Sequence, residues 1–402
     1  VDQMIRTPFV PAPQATKSYV HLMRAASDLF QPDSVDELAP RLRSSTPLSE
    51  TPVTPQAIEA LDAVAATEHI AYDFMMRGGK HSRPFITLAA YDALKGGQCT
   101  EQDGVESVRK IPLAVRRAAM SIETFHKASL VHDDIEDDDA FRYGQPAVHR
   151  RFGLPTAINV GDYLIGLGYR LLSRSDGDDH VPPQARVDVL DSLAAAHTRL
   201  AEGQGAELLW RDAKDRRLTP LDALKVYALK TSPAFEAALY SGIRLAGDAQ
   251  PYRESIRKFS RNMGVAFQIL NDLGDWCGDD SNKLAAGGDV FGGRPTILWA
   301  LALEALPEDQ QTELMELGSD SCPLSDQQRL NRARRLYETA GVFDTALHLV
   351  DKHQQRAEQV ADEIQPDALR RLFYFLVDTV LERPELPSPS VVPLGVSAKV
   401  IS

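Results

Sequence analysis

The sequence predicts an all-α protein built as one helical bundle. Amphipathic runs with apolar residues at helical spacing recur from residue 54 to residue 382. Alternating β-branched runs joined by hairpin turns are almost absent. Proline and capping residues stand at the ends of the runs rather than within them. Many long helices without strand alternation suit a bundle whose functional groups project inward from facing helices. A pair of helical domains is the alternative, but no linker marks a boundary and no repeat of solenoid period is present.

The elements follow in order. Residues 1–50 carry Pro8, Pro11, Pro13, Pro32, Pro40 and Pro47, and read as an irregular extension with one short helix around Tyr19–Phe30. A helical domain is expected over 51–383, and a loosely packed, proline-rich tail over 384–402. Thr54-Pro55 reads as an N-cap followed by proline at the first helical position, opening a run to Met76. Further runs lie at about 84–94, 105–139, 154–173, 185–211, 219–245, 251–277, 294–305, 325–340, 342–364 and 366–382. Thr219-Pro220 repeats the cap, Ser325-x-x-Gln328 forms a capping box, and Gly341 closes the helix that follows it.

Composition narrows the function. The chain has 402 residues and a net charge of −13, a field that repels polyanions and argues against nucleic acid or anionic membrane as partners. Cys99, Cys277 and Cys322 are scattered, so they form neither a disulfide framework nor a metal motif and suit a reducing compartment. No apolar run approaches the roughly 20 residues of a membrane span, and the start lacks the basic-then-apolar order of a signal peptide. The expectation is a cytoplasmic protein.

Two acidic clusters carry the chemistry. His132-Asp133-Asp134-Ile135-Glu136-Asp137-Asp138-Asp139 ends a strongly apolar helix, with Asp133 and Asp134 four and three residues before Asp137 and so on one face. Like charges so placed destabilise a helix by about 0.2–0.5 kcal/mol per pair. A hard divalent cation, magnesium or calcium rather than zinc, reverses that sign. Alone, the run reads equally well as a solvated helix end. Asn271-Asp272-Leu273-Gly274-Asp275 repeats the spacing after a second apolar helix. Facing each other, the clusters can clamp several magnesium ions around one diphosphate.

Basic elements match them. In Arg77-Gly78-Gly79-Lys80-His81-Ser82-Arg83-Pro84, glycines let backbone approach an anion just before a helix that Pro84 can open. Taken singly, Lys80 and Arg83 also read as surface charges, Gln204 as an ordinary helix polar residue, and His126 as a satisfied, partly buried histidine. Arg142, Lys230 and Arg294 add charge further along.

The order of these motifs resembles the trans-prenyl diphosphate synthases. The resemblance runs through Gly78-Gly79-Lys80-x-x-Arg83-Pro84, His126, Asp133-Asp134-x-x-Asp137 and Arg142-x-Gly144-x-Pro146-x-x-His149. It continues through Gln204-Gly205, Lys230-Thr231 and Phe267-Gln268-x-x-Asn271-Asp272-x-x-Asp275, and covers about residues 55–380. It implies an isoprenoid-synthase-type bundle with a central cavity, usually homodimeric. It further implies a magnesium-dependent enzyme, with three ions, that joins an allylic prenyl diphosphate to isopentenyl diphosphate. Asp133, Asp134 and Asp137 would hold magnesium on the allylic diphosphate, and Asp272 and Asp275, with Asn271, a further ion. Arg142, Lys230 and Gln204 would contact the allylic diphosphate, with Gln268 and Arg294 nearby. Lys80, Arg83 and His126 would hold isopentenyl diphosphate. The carbonyl of Lys230 and the hydroxyl of Thr231 would face the allylic cation. Ala128 and Ser129 are small and Phe125 lies one turn deeper, which favours a C20 product, geranylgeranyl diphosphate.

Three positions depart from the pattern. Tyr143 stands where a second arginine is usual and cannot supply its bidentate charge. Arg116 or Arg117 is the candidate to compensate. Asn271 replaces an aspartate, and Arg294 replaces a lysine with the charge kept. These changes leave open a terpene cyclase or atypical prenyl-transfer enzyme of the same fold, and a non-catalytic subunit of a heterodimer, although the intact first motif disfavours the latter.

Overall fold

A computed structural model describes residues 13–43, 47–48, 51–100, 104–174, 181–213, 216–276, 290, 294, 296–319 and 321–383. Cys277, the neighbours Gly292, Gly293 and Pro295 of Arg294, and the stretch 384–402 lie outside them.

Two helices, α1 (Pro13–Asp28) and α2 (Pro32–Leu38), occupy a region expected to be largely irregular. The reason is positional: Pro13 and Pro32 open helices, where a missing N–H costs nothing, instead of breaking them. Leu22, Phe30, Val35 and Leu38 are buried in the common core. Tyr19 packs on Phe85 and Phe375 at ring-centroid distances of 5.8 and 4.4 Å. Buried Glu68 accepts from the N–H groups of Leu42 (2.7 Å) and Arg43 (2.8 Å), tying down the chain that leaves α2.

Local chemistry sets the next boundaries. Thr54 caps α3 (Pro55–Glu59) by accepting from Ala57 N–H at 3.2 Å. The run expected to continue to Met76 restarts at Asp62, whose carboxylate accepts from Val64 N–H (3.1 Å) and begins α4 (Ala63–Met76). After α5 (Ser82–Leu94), Pro112 divides the expected 105–139 run into α6 (Gly104–Arg109) and α7 (Leu113–Glu136).

A hairpin of two-residue strands, β1 (Phe141–Arg142) and β2 (Gln145–Pro146), follows α7. Its turn residues, Tyr143 and Gly144, have φ of +53° and +71°, the signature of a type I′ turn.

The chain continues through α8 (Val148–Phe152), α9 (Leu154–Ser173) and α10 (Pro183–Arg211). Thr219 caps α11 (Pro220–Lys230), which stops at Thr231 before α12 (Ser232–Ala246), so the expected 219–245 helix is two. Then come α13 (Arg253–Asp275), α14 (Ile297–Ala305), α15 (Glu308–Leu317), α16 (Asp326–Thr339), α17 (Val342–Glu363) and α18 (Asp367–Val380). Helix α15 was not expected, because few of its residues are apolar. As expected, the Ser325 N–H donates to Gln328 Oε1 (3.1 Å) at the start of α16, and Gly341 follows its end at φ +63°.

Helix α7 lies centrally, packed on α9 and α5, while α12 lies against α5, α10 and α13, and α13 against α17. Among the described residues no helix is long and apolar enough to cross a membrane. Helices α5 and α12 approach closely: a Cβ on Gly242 would sit 2.3 Å from Thr87 O and 2.8 Å from Ala90 Cβ. Thr87 Oγ1 also donates to Ala238 O at 3.3 Å. Gly242→Ala should therefore push these helices apart and lower unfolding free energy by about 1–3 kcal/mol, read by urea denaturation. Undiminished stability would contradict the close approach.

Candidate active site

The first acidic motif ends α7, and the hairpin folds back over it. Asp134 is 1% exposed. Arg142 donates through Nε to Asp134 Oδ1 at 2.8 Å and adds a second, shorter bond from Nη2 to the same oxygen. The same Nη2 reaches Asp139 Oδ2 at 3.3 Å. The other oxygen, Asp134 Oδ2, is buried without a partner. Burial pushes the Asp134 carboxyl above its ordinary range, against the pull of Arg142. Burial also pushes Asp133 up to about 7, opposed by Lys230 and reinforced by Asp137 and Glu136. Asp137 is spanned by two cations, Arg211 Nη1 on Oδ1 at 3.2 Å and Arg294 Nη2 on Oδ2 at 2.9 Å. Gln204 Nε2 donates to Glu136 Oε2 at 2.6 Å.

The opposite wall is the C-terminal end of α13. Asp272 and Asp275, expected to bind metal, are 4% and 5% exposed. Asp272 is committed elsewhere: Oδ2 accepts from the Tyr227 hydroxyl and from Ile297 N–H (3.3 Å), and Oδ1 from Gln268 Nε2 (3.4 Å). The Tyr227 hydroxyl in turn accepts from Ile297 N–H at 2.6 Å. In this structure Asp272 braces α11, α13 and α14 together. Asn271 is the exposed member of the motif.

Lys230 and Thr231 stand at the break between α11 and α12, where Pro233 in the new first turn removes an N–H. Glycines on both sides let neighbours come close. A Cβ on Gly203 of α10 would lie 2.8 Å from Lys230 N, and one on Gly264 of α13 would lie 2.7 Å from Ser232 N. Lys230 Nζ reaches Glu207 Oε2 at 2.7 Å, and Thr231 Oγ1 donates to Gln268 Oε1 at 3.2 Å. The two acidic motifs are thus connected through neighbours: Lys230 acts on Asp133, the adjoining Thr231 donates to Gln268, and Gln268 donates to Asp272.

The basic loop lies against α7, where Lys127 Nζ donates to Gly78 O at 2.9 Å. Gly78, Gly79 and Lys80 are exposed, and Gly78 and Gly79 have φ of +52° and +99°. Arg83 is half-buried; burial lowers its pKa, with Glu123 opposing. Burial and the neighbouring Arg83, Lys127 and Arg142 hold His126 well below its ordinary value, so its imidazole is neutral at pH 7. Tyr143 lies flat against Gly78, where an added Cβ would come within 2.4 Å of the ring. Arg116 and Arg117 do not compensate for the missing arginine: Arg116 pairs with Glu37 at 3.2 Å, and Arg117 Nε donates to Leu38 O at 3.3 Å. Lys127, fully buried, lies beside Tyr143, with Nζ 4.1 Å from the ring centroid. Phe125 packs edge-on to Tyr169 at 4.8 Å and lies 5.7 Å from His197, while Ala128 is buried and Ser129 exposed.

Sequence reasoning missed Arg211, Tyr227, Glu207 and Lys127. Only Lys127 left a signal, a charged pair with Glu123 at i,i+4 on an otherwise apolar helix. Tyr227→Phe should cost about 1–3 kcal/mol of stability in a denaturant titration, because Asp272 and Ile297 N–H lose a buried partner. A loss within error would show that this bridge holds nothing.

Residues 65–334 match the polyprenyl synthetase family. The chain is 28% identical over 333 residues to a short chain isoprenyl diphosphate synthase of Methanothermobacter thermautotrophicus, spanning 82% of this chain and 92% of the relative. It is 30% identical over 311 residues to a geranylfarnesyl diphosphate synthase of Aeropyrum pernix, spanning 76% of this chain and 91% of that one. Its fold matches a geranylgeranyl pyrophosphate synthase of Corynebacterium glutamicum, solved with isoprenyl diphosphate and magnesium. The TM-score is 0.71 over 92% of this chain and 99% of the other, at 20% identity, a likeness of fold. The match over 65–334 takes in the basic loop, the whole first acidic motif and the second, and with it the chain belongs to the polyprenyl synthetase family.

Proposed function

We propose that this chain, a prenyltransferase by family, joins an allylic prenyl diphosphate to isopentenyl diphosphate in a magnesium-dependent reaction. One observation carries the reading: a chain of neighbours runs from the first acidic motif to the second, Lys230 acting on Asp133, the adjoining Thr231 donating to Gln268, and Gln268 donating to Asp272.

The donor set fits magnesium. The first motif offers carboxylate oxygens, Asp134 Oδ2 is buried without a partner, and burial makes Asp133 resist ionisation despite Lys230 nearby. Among the described residues no three acidic, histidine or cysteine side chains already converge on a point, which suits an ion completed by substrate phosphates. Asp133, Asp134 and Asp137 would hold it, and Asn271 is better placed than Asp272 to reach a third ion. Bound magnesium would neutralise charge on the departing diphosphate.

The chain's own residues do the rest. Arg142 and Lys230 are held by Asp134 and Glu207, and shift toward the allylic diphosphate when it enters. Arg294 and Gln204 border the same anion, held meanwhile by Asp137 and Glu136. Lys80 and Arg83 supply positive charge to isopentenyl diphosphate, and neutral His126 offers one N–H donor. Thr231 Oγ1 and the Lys230 carbonyl aim dipoles at the allylic cation, which the isopentenyl double bond attacks. The lost proton passes to the released diphosphate. Small Ala128 and Ser129 leave room for the growing chain, and Phe125 with Tyr169 forms the floor that favours C20. Free Cys99 and Cys322 suit the cytoplasm, and exposed Leu154 and Ile158 on α9 suit a homodimer.

Purified protein given magnesium, isopentenyl diphosphate and C5, C10 or C15 allylic diphosphates should release a C20 diphosphate. Hydrocarbons or alcohols would identify a cyclase instead, and no product a non-catalytic subunit. Asp133→Ala and Asp137→Ala should each lower kcat by about a hundredfold or more, and near-normal turnover would remove their role. Ala128→Phe should shorten the product by at least one isoprene unit, as read by mass; an unchanged length would remove the floor.

A further inference from the structure

The loop of residues 77–80 is held from beneath by a lysine that takes no part in the chemistry above. Lys127 is fully buried, so its ammonium group does not reach a ligand on the exposed side of the loop. Its Nζ instead donates to two successive loop carbonyls, Arg77 O and, at 2.9 Å, Gly78 O. In a trans peptide the N–H points opposite to the C=O. Drawing the carbonyls of residues 77 and 78 inward therefore turns the N–H groups of Gly78 and Gly79 outward, beside exposed Lys80. Successive N–H groups turned to one side make a concavity that accepts anion oxygens.

Three neighbours fix Lys127 in this pose. Glu123, one helical turn earlier, shares its surroundings: Glu123 Oε1 and Lys127 Nζ both lie 3.5 Å from the position a Cβ on Gly79 would take. The Tyr143 ring covers the ammonium group at 4.1 Å, and Phe74 lies behind it at 5.8 Å, both within cation–π range. Tyr143 also presses on Gly78, so the same ring holds lysine and loop together.

We propose that Lys127 is a positioning residue for isopentenyl diphosphate. Clamped by Glu123 and Tyr143, it holds the 77–80 loop with its backbone N–H groups facing the substrate's terminal phosphate. In this chain the pair Lys127 and Tyr143 does jointly what a second arginine at 143 would do by direct contact. The inference rests on the reading that Lys80, Arg83 and His126 border the isopentenyl site.

Steady-state kinetics with each substrate varied in turn tests it. Lys127→Met should raise KM for isopentenyl diphosphate about tenfold or more, with much smaller changes in kcat and in KM for the allylic diphosphate. Lys127→Met removes one of the two cations beside buried Glu123, the other being Arg83, so the double variant Glu123→Gln, Lys127→Met is measured alongside it and should show the same split. Tyr143→Arg added to the double variant should bring KM for isopentenyl diphosphate back toward the wild-type value. Calorimetric titration with isopentenyl diphosphate alone should weaken and recover in parallel. A wild-type protein that elongates while the double variant keeps its KM and its binding constant would overturn the role of Lys127 alone. A similar loss in both KM values and kcat would do the same, since it would mark a merely structural residue. A wild-type protein that makes no longer diphosphate would overturn the functional reading and this inference with it.

Discussion

The structure depends on how buried carboxylates are offset by cations from other elements. Asp133 and Asp134 lie at the end of one helix, where burial, reinforced by neighbouring carboxylates, favours their protonated form. Arg142, Arg211, Arg294 and Lys230 converge on them and on Asp137 from the hairpin, α10, the stretch before α14, and α11. No two of these cations come from the same element, so the positive charge that offsets burial of the motif is complete only when the whole bundle is assembled. The fold and the site are therefore coupled through charge: helices that meet here must bring the right sign of residue as well as an apolar face.

That coupling explains what was legible in the sequence. Helix starts at Thr54, Thr219 and Ser325 were legible because a cap and the N–H groups near it lie within one turn of chain. Pro13 and Pro32 misled, since proline signals a break without telling whether a helix ends or begins there. The hairpin was invisible: two-residue strands have no alternation to detect, and Tyr143 at positive φ is an unusual turn residue. Helix α15 was hidden by its polar composition. The acidic motifs and the basic loop could be found from spacing alone. Their partners could not, because Arg211 lies 74 residues from Asp137 and Tyr227 lies 45 from Asp272.

The second acidic motif shows the limit of reading a role from spacing. Asp272 and Asp275 have the intervals of ligands, yet both turn into the protein. One accepts from the groups that anchor α14, a buried charge that also fixes helix positions. Asn271 is exposed. An amide oxygen can ligate a hard cation but brings no charge, so in the proposed reaction the first motif would offset more of a cation's charge than Asn271 would.

The isopentenyl side has been altered as well, and by a different physical route. Replacing arginine with Tyr143 removes a long-reaching guanidinium from the exposed face, while Lys127 returns one positive charge beneath it. A buried ammonium is costly to desolvate, and it is retained here only because two carbonyls, a carboxylate and an aromatic face surround it. Charge placed in the interior acts through backbone geometry, here by holding the carbonyls of Arg77 and Gly78, and in the proposed role it would order the loop without contacting the phosphate. The cost of that arrangement is rigidity: Gly78 must remain glycine under the Tyr143 ring, and neither residue can change without the other. Lys127 and Tyr143 therefore form a single unit.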